Sequence, residues 1–557
     1  MTKNHIFLLL LLSLLFSQCS RKAIHKSDIK ASQKLTGVEF SDQEIETMLD
    51  YIKGNRKAYD SMRSSRLPDT YYPAVSFDPR PAFFKMREAT LPSDWKLRDE
   101  VMLPESDEEI AFLPVMDLGV LIRTGKLSST RLTRIYLERL KKYKDTLYAV
   151  VSITEDLALA QAAKADEELK RGIYHSPLHG IPYGIKDLFA VPGYKTTWGA
   201  EPYRDQVRKE KAAVAEKLEL AGAVLVAKLT TGALARGDVW FGGKTRNPWD
   251  LNQGASGSSA GSASATAAGL VAFSIGTETL GSIIAPSTRC GVTGLRPTFG
   301  SVSRAGVMTL SWSMDKAGPI CRTALDCALV FNTIKGPEIS GAKDHAVIDY
   351  PFSFHPKHDL KDYKIGYFKK LFDKDTTAAG SNSMKSLTFM KELGAELHEV
   401  ALPDSIPYGV FDIILRAEAG AFFDELVRSH NERRMSEQGK DSRANSLRQS
   451  RFISAVEYLQ ANRYRQVLIE KFNQIISGYD FLVAPTMGKN ISMATNITGH
   501  PAVSVPNGFD KKGRPTSFTL IGNLYDEGPI LEAAYLIQQL TDFEEKHPAR
   551  FLGKRKS

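Results

Sequence analysis

The chain has 557 residues, of which 43% are hydrophobic, so it is long enough to bury a large core. Its formal net charge is +9, from 73 lysines and arginines against 64 aspartates and glutamates. This surplus is small for the length and is not clustered, whereas nucleic-acid binding requires a basic patch. We therefore expect no nucleic-acid partner.

The N-terminal residues have the pattern of an export signal. Lys3 precedes an apolar run that is too short to span a bilayer comfortably and that ends close to Cys19. The pattern predicts a signal peptide over residues 1–18, with Cys19 as the lipid attachment site of a bacterial lipoprotein. We therefore expect an exported protein in the periplasm or at the cell surface, held at a membrane by its lipid. Ordinary secretion and an uncleaved anchor are the alternatives.

A polar tether and an N-terminal extension are predicted over residues 19–110. Residues 20–40 are polar and basic, which is typical of a tether. Ser41 and Glu44 have the spacing of a capping box, so a helix is predicted to begin at Ser41. The six prolines between residues 65 and 110 predict an irregular belt that wraps the main body of the protein.

The main domain is predicted over residues 111–545, and a basic C-terminal tail over residues 546–557. Helices are predicted over residues 129–143, 155–171, 210–221, 258–268 and 529–543. Strands are predicted over residues 148–153, 181–186, 223–228, 270–276, 481–486, 502–506 and 517–522. This alternation, with few hairpin signals, predicts an α/β fold with a mixed central sheet. The charged stretch at residues 425–455 predicts a solvated excursion from that body.

A segment rich in glycine, serine, alanine and threonine, residues 254–296, contains two candidate site residues, Ser258 and Ser282. The segment is not a flexible linker, because apolar residues such as Phe273 are interleaved with the small ones and need a core. A third candidate, Lys186, lies well upstream in the run GIPYGIKDLF.

Three separated motifs around these residues resemble those of the amidase signature family. They are G-I-K-D at residues 184–187, G-S-S-A-G at residues 257–261 and T-E-T-L-G-S at residues 277–282. The resemblance extends from about residue 111 to about residue 543. It implies the amidase-signature α/β fold, in which helices cover both faces of a mixed central β-sheet.

The resemblance also implies a role for each candidate residue. Lys186 matches the base of the family, Ser258 matches a bridging serine that follows a non-proline cis peptide, and Ser282 matches the nucleophile. The implied oxyanion hole consists of the backbone N–H groups of Thr279, Leu280, Gly281 and Ser282. The resemblance implies no metal ion and no organic cofactor.

The chemistry explains why a lysine would accompany two serines. A free serine hydroxyl is a weak nucleophile at neutral pH and needs a base, which a neutral lysine can supply through a second serine. Lys186 lies between Ile185 and the apolar pair Leu188 and Phe189. Because burial disfavours a charged ammonium, we expect a lowered pKa at Lys186.

Four positions depart from the family pattern, and the first of them, Ala260 in place of a usual glycine, is a small change. Leu280 stands where a glycine is usual, Ile284 stands where many members carry an arginine, and Arg289 stands where an apolar residue is common. We expect these differences to affect the range of substrates and to leave the Ser–Ser–Lys relay intact.

Two other sequence patterns offer rival nucleophiles. Residues 257–261 also satisfy G-x-S-x-G with Ser259, but a polar loop precedes them where that motif requires an apolar strand. Ser313 and Lys316 satisfy S-x-x-K without the companion motifs of that enzyme class. We interpret the acidic residues Asp187 and Glu278 as structural hydrogen-bonding groups rather than as catalytic acids.

The sequence therefore predicts an amidase that hydrolyses a carboxylic amide to a carboxylate and ammonia or an amine. The substrate is a small-molecule or peptide amide, which the sequence does not identify, and the oligomeric state is open. One alternative is the glutaminase subunit of a glutamyl-tRNA amidotransferase. The predicted export signal disfavours this alternative, because tRNA charging takes place in the cytoplasm. Another is a catalytically silent binding or scaffold protein that keeps the fold.

Overall fold

The computed structural model describes residues 23–64, 68–87, 91–96, 98–486, 488 and 490–552. The predicted signal peptide, the predicted lipid site at Cys19 and the end of the predicted basic tail lie outside these residues. In the described part of the chain, no helix is both long enough and apolar enough to cross a membrane.

The chain forms two compact units, of which the first ends at Tyr71 and the second begins at Tyr72. The first unit contains two helices, α1 (Lys26–Thr36) and α2 (Asp42–Ser64). The helix predicted after Ser41 is confirmed together with its cap, because the Ser41 backbone N–H donates to Glu44 Oε2 at 2.7 Å. The proline-rich segment from Tyr72 onward belongs to the second unit.

The second unit contains sixteen helices and fifteen strands within the described residues. The helices are α3 (Asp107–Phe112), α4 (Val115–Arg123), α5 (Ser129–Leu147), α6 (Glu155–Lys170), α7 (Ala213–Leu220), α8 (Ala260–Ala267), α9 (Ile284–Cys290), α10 (Ala324–Ile334), α11 (Lys369–Lys374), α12 (Ala378–Glu392), α13 (Asp412–Phe422), α14 (Asp424–Arg428), α15 (Arg443–Ser450), α16 (Ala455–Ile476), α17 (Ile491–Ile497) and α18 (Gly528–Leu540). The strands are β1 (Val150–Ile153), β2 (Pro182–Lys186), β3 (Val224–Leu229), β4 (Val239–Trp240), β5 (Gly243–Lys244), β6 (Arg246–Asn247), β7 (Asp250–Gly254), β8 (Phe273–Glu278), β9 (Thr293–Arg296), β10 (Lys316–Cys321), β11 (Lys364–Tyr367), β12 (Glu396–Glu399), β13 (Phe481–Pro485), β14 (Ala502–Phe509) and β15 (Pro515–Gly522).

Eleven strands form one mixed sheet in the order β1-β3-β2-β8-β10-β9-β14-β15-β13-β11-β12. Strand β2 is parallel to both β3 and β8, whereas β10 is antiparallel to β8 and to β9. Every residue of β2, β3 and β8 is buried, which explains why none of these strands alternates between apolar and polar residues. The α/β fold with a mixed central sheet and helices on both faces is confirmed.

The belt predicted from the prolines has the expected irregular form, since its described residues between Tyr72 and Ser106 make no helix or strand. Aromatic side chains attach it to the body. Phe77 packs edge-on against Phe299 with ring centroids 5.0 Å apart, and Trp95 stacks on Phe354 at 6.0 Å. These contacts attach the segment to the body, although Val75, Phe83 and Met102 stay exposed.

The stretch at residues 425–455 differs from the prediction of a solvated excursion. Within it, α15 buries Ala444 and Leu447 in an apolar cluster of the body. The charged Arg443 is buried as well, because its guanidinium donates to the backbone carbonyls of Leu234 and Ala235 at 3.1 and 3.2 Å. A buried arginine that donates to backbone carbonyls cannot be recognised from composition alone.

Candidate active site

Lys186 is the last residue of β2, in the interior of the sheet, and its side chain is fully buried. Its Nζ lies 2.9 Å from Ser258 Oγ, 3.0 Å from Ser259 Oγ and 2.8 Å from Thr277 Oγ1. It also donates to the Thr277 carbonyl at 3.3 Å. The amine is therefore surrounded by hydroxyl groups and a carbonyl, with no carboxylate as a direct partner among the described residues.

The environment of Lys186 favours its neutral form. Burial lowers the pKa of Lys186 from 10.5 to about 7, although the more distant carboxylates of Asp315 and Glu278 act in the opposite direction. The predicted direction of the shift is confirmed. A lysine with a pKa near neutrality is able to accept a proton at physiological pH.

Ser258 and Ser259 lie between β7 and α8 and have different surroundings. The peptide bond between Gly257 and Ser258 is cis. Ser259 Oγ donates to the Thr277 carbonyl at 3.1 Å and accepts from the Thr277 N–H at 3.2 Å. The single proton of Ser259 is thus committed to the backbone, so Ser259 can only accept from Lys186. Ser258 has no such commitment and is able to donate its proton to the amine.

Ser282 lies in the loop between β8 and α9, after Gly281, whose φ of +84° favours glycine. The Ser282 carbonyl accepts from the Ser259 N–H at 3.1 Å, which holds the two serine segments side by side. Ser282 is 9% exposed, whereas Ser258 is 1% exposed and Lys186 is 0% exposed. Of the three candidates, Ser282 is therefore the one that solvent or a ligand reaches most readily.

The loop that carries Ser282 presents free backbone donors. Within the described part of the chain, the N–H groups of residues 279–282 have no hydrogen-bond acceptor, whereas those of Ile283 and Ile284 donate to Glu278 Oε2 at 2.8 and 3.0 Å. Unpaired donors in a largely buried loop are unusual in proteins. This arrangement fits the predicted oxyanion hole of Thr279, Leu280, Gly281 and Ser282.

The Glu278 carboxylate accepts hydrogen bonds from the residues that follow this loop, which agrees with its interpretation as a structural group. Its Oε1 accepts from Arg296 Nη1 and from Asn496 Nδ2, both at 2.9 Å. Burial alone would raise the pKa of Glu278, but the Arg296 guanidinium and the backbone N–H groups outweigh it and lower the pKa to about 2. Glu278 therefore stays ionised at any physiological pH and serves as an anchor, not as an acid.

Replacing Glu278 by glutamine should destabilise the fold by roughly 3–5 kcal/mol, because the buried Arg296 guanidinium would lose its counter-charge. Urea unfolding at neutral pH measures the change. The ion-pair contribution of Glu278 is fully present above about pH 4.5 and is lost as the pH falls toward about 2, since its pKa is lowered on folding. Glu155→Gln, which breaks an exposed ion pair with Lys141, is the control and should cost less than about 1 kcal/mol. Equal losses in the two variants would contradict this prediction.

Two further acidic residues hold neighbouring groups of the site in place through hydrogen bonds. Asp315 accepts from Thr279 Oγ1 at 2.5 Å and from the Leu310 N–H at 2.7 Å, which fixes the start of the oxyanion loop. Asp187 accepts from Lys228 Nζ at 2.7 Å and from the Thr197 N–H at 2.8 Å. The structural interpretation of Asp187 agrees with these contacts, whereas the contribution of Asp315 was not visible in the sequence.

Neither rival nucleophile is arranged for attack. Ser259 Oγ is fixed between the backbone groups of Thr277, as described above. Ser313 Oγ donates to Glu418 Oε1 at 2.7 Å and accepts from Arg465 Nη1 at 2.8 Å. Lys316 Nζ is buried without a hydrogen-bond partner among the described residues, so it does not contact Ser313.

Of the departures from the family pattern, Leu280 and Ile284 lie at or next to the oxyanion loop, whereas Arg289 lies near the other end of α9. Leu280 packs against an apolar cluster that includes Ile284, Met314 and the partly buried Met493. Leu280 and Met493 are the partly exposed side chains at this edge of the cluster, and we call the two together the Leu280 wall. Arg289 lies in the last turn of α9.

Comparisons with known proteins agree with this geometry. A family model described as Amidase matches residues 131–494. A glutamyl-tRNA(Gln) amidotransferase subunit of Carboxydothermus hydrogenoformans is 31% identical over 488 residues, which cover 79% of this chain and 99% of that protein. The peptide amidase of Stenotrophomonas maltophilia has a similar structure, with a TM-score of 0.69 and 28% identity over 78% of this chain and 98% of the peptide amidase. An amidase family protein from Bacillus anthracis has a TM-score of 0.69 at 25% identity, over 79% of this chain and 93% of that one. The chain therefore belongs to the amidase signature family and is an amidohydrolase.

Proposed function

We propose that the protein hydrolyses a linear amide through an acyl-enzyme on Ser282. Ser282 Oγ attacks the carbonyl carbon of the amide while its proton passes to Ser258 and the Ser258 proton passes to neutral Lys186. The negative charge on the carbonyl oxygen is stabilised by the N–H groups of residues 279–282. Lys186 then returns the proton through Ser258 to the amide nitrogen, and the C–N bond breaks.

Water completes the reaction by the reverse route. It attacks the acyl carbon, and its proton moves through Ser258 to Lys186. The ester bond to Ser282 then breaks as Lys186 returns the proton through Ser258 to Ser282 Oγ, and the carboxylic acid leaves. The single observation that carries this proposal is the buried amine of Lys186, which contacts Ser258 Oγ at 2.9 Å beside a second serine whose proton is committed elsewhere.

Covalent labelling of the nucleophilic serine, followed by identification of the modified residue, tests the proposal directly. Purified protein is treated with a serine-directed fluorophosphonate, digested and analysed by mass spectrometry. We expect the adduct on the peptide that contains Ser282, and release of ammonia or amine from at least one amide substrate. An unlabelled protein that turns over no amide would favour the silent scaffold, and an adduct on Ser259 or Ser313 would overturn the assignment of the nucleophile.

We infer that the substrate has a neutral, apolar acyl group. The Leu280 wall supports this inference, because apolar side chains bind apolar ligand surface and offer no partner to a charge. Free glutamine carries a carboxylate and an ammonium group that would need charged partners, and Ile284 stands where many family members carry an arginine.

A panel of amides distinguishes the substrate classes. It contains L-glutamine, a C-terminally amidated peptide with an apolar last residue, an aryl amide and a fatty amide. We expect kcat/KM for the apolar amides to exceed that for glutamine by at least about 10²-fold, given about 1–3 kcal/mol for each matched apolar group. Preference for glutamine would instead support the glutaminase alternative, which the similarity to the Carboxydothermus amidotransferase protein favours.

We also propose that the enzyme is exported and held at a membrane through a lipid on Cys19. The pattern of residues 1–18 supports this proposal. Expression of the full-length chain and of Cys19→Ser in a bacterial host, followed by fractionation, is the experiment. We expect the parent protein with the membranes and a diacylglyceryl mass on its N-terminal peptide, and neither in Cys19→Ser. A parent protein recovered in the cytoplasm would overturn the proposal.

A further inference from the structure

Three potential metal ligands meet on the side of the body where α6 ends. Glu168 lies in the last turn of α6, and His175 and His179 lie in the loop that joins α6 to β2. One ligand atom of each residue lies within 4.8 Å of those of the other two. The two histidines have an H-x-x-x-H spacing, but they lie in a loop, where the usual helical argument for such a pair does not apply.

His179 is fully buried, and its two ring nitrogens differ. Nε2 lies 3.0 Å from the Ala165 carbonyl, which can only accept, so Nε2 carries the proton of this contact. Nδ1 is then left as the nitrogen with a free electron pair, and it is buried with no hydrogen-bond partner in the described part of the chain. Histidines that bind a metal usually donate their other N–H to a carbonyl or a carboxylate, and His179 makes a contact of this kind.

The space beside this nitrogen is kept open by a glycine. Gly222 has a φ of +84°, and a Cβ at that position would lie 2.7 Å from His179 Nδ1. A larger residue would therefore cover the nitrogen that lacks a partner. With no Cβ at residue 222, the unpaired Nδ1 of His179 stays uncovered.

Glu168 and His175 already have the separation of two ligands to one ion. Glu168 Oε2 and His175 Nε2 lie 3.1 Å apart. Two ligands of a tetrahedral Zn²⁺ are about 3.3 Å apart, given bond lengths of about 2.0–2.1 Å. The His175 side chain is 35% exposed, so it has room to move toward the buried His179. The nearby cation is Lys164, whose Nζ lies 3.6 Å from Glu168 on the surface and can turn into solvent.

We propose that Glu168, His175 and His179 bind a divalent transition-metal ion, for which Zn²⁺ is the best match. Two imidazoles and one carboxylate suit Zn²⁺ better than Mg²⁺ or Ca²⁺, which prefer oxygen ligands. Solvent completes the coordination on the side of His175. The ion stabilises the fold, because it joins α6 to the loop that leads into β2. It takes no part in amide hydrolysis, so this proposal does not depend on the proposed function.

The test uses untagged, chelator-treated protein, with residues Met1–Cys19 replaced by a start codon in every variant so that no lipid is present. Zn²⁺ is titrated by calorimetry, and the melting temperature is measured with and without the ion. We expect one Zn²⁺ per chain and a higher Tm, since a ligand that binds the folded state stabilises it. His175→Ala and Glu168→Gln change exposed or partly exposed groups and should each weaken Zn²⁺ binding by at least about 10-fold.

His398→Ala is the matched control. His398 is 37% exposed and lies 3.7 Å from Glu396, so it forms a similar His–Glu pair, but no third ligand accompanies it in the described part of the chain. We expect this variant to bind Zn²⁺ like the parent protein. The proposal is overturned if Zn²⁺ leaves the Tm of the parent unchanged, or if His175→Ala binds the ion as tightly as His398→Ala does. Neither readout involves an amide substrate, so failure here is separate from failure of the proposed function.

Discussion

Lys186→Met should lower kcat/KM by at least about 10³-fold, because it removes the base and leaves the shape of the side chain largely unchanged. In the parent protein, activity should rise with pH through about 7, as Lys186 loses its proton and becomes able to accept one. The residual activity of the variant should lack this rise near pH 7, which is the limb of the pH profile that we assign to Lys186. The measurement is a pH profile of kcat/KM between about pH 5 and pH 9, with circular dichroism to confirm that each variant is folded.

Lys316→Met is the control for that experiment. Lys316 is also a buried lysine with a lowered pKa, but its amine has no hydrogen-bond partner among the described residues and contacts no serine. We expect Lys316→Met to keep the limb near pH 7. If Lys316→Met loses the limb and Lys186→Met keeps it, the base has been assigned to the wrong lysine.

Ser282→Ala should abolish both turnover and fluorophosphonate labelling, since no acyl-enzyme can form without its oxygen. The fold should be preserved, because Ser282 Oγ has no hydrogen-bond partner within the described residues. Residual hydrolysis, if detectable, reflects binding and the oxyanion loop alone, and we expect it at least about 10⁴-fold below the parent rate. The measurements are gel-based labelling and single-turnover release of amine from an activated amide.

Two further variants make the Ser282 experiment decisive. Ser259→Ala removes the nucleophile of the rival G-x-S-x-G interpretation, and Ser313→Ala removes that of the S-x-x-K interpretation. Both should still be labelled, and Ser259→Ala should be slower because Lys186 loses one of its partners. Loss of labelling in Ser259→Ala with retention in Ser282→Ala would contradict the relay.

The sequence was sufficient to predict the candidate relay and most of the elements that carry it. Lys186, Ser258 and Ser282 stand in short motifs whose chemistry is local to a few residues, and β3 is a mostly apolar run. The order of strands in the sheet was not predictable, because neighbours such as β9 and β14 are about 200 residues apart in the chain. Pairing over that distance leaves no local pattern.

The supporting residues could not be found for the same reason. Glu278 is adjacent to the oxyanion loop, but its partner Asn496 comes from α17, 218 residues later. In the sequence, Asp315 is only the position before the lysine of an S-x-x-K match, although in the fold it holds Thr279. For Arg443 the sequence-based prediction was wrong, because its charge predicted exposure whereas the side chain is buried. The backbone carbonyl to which it donates, that of Leu234, lies far upstream in the chain.

The contact between Glu278 and Asn496 has a consequence for shortened versions of this gene. A product that stops before Asn496 keeps all three motifs intact and would still be recognised by any motif search. It would nevertheless lack one of the groups that hold the carboxylate beneath the oxyanion loop, together with strands β14 and β15. Truncated genes of this kind should therefore be regarded as inactive remnants, however well their motifs are preserved.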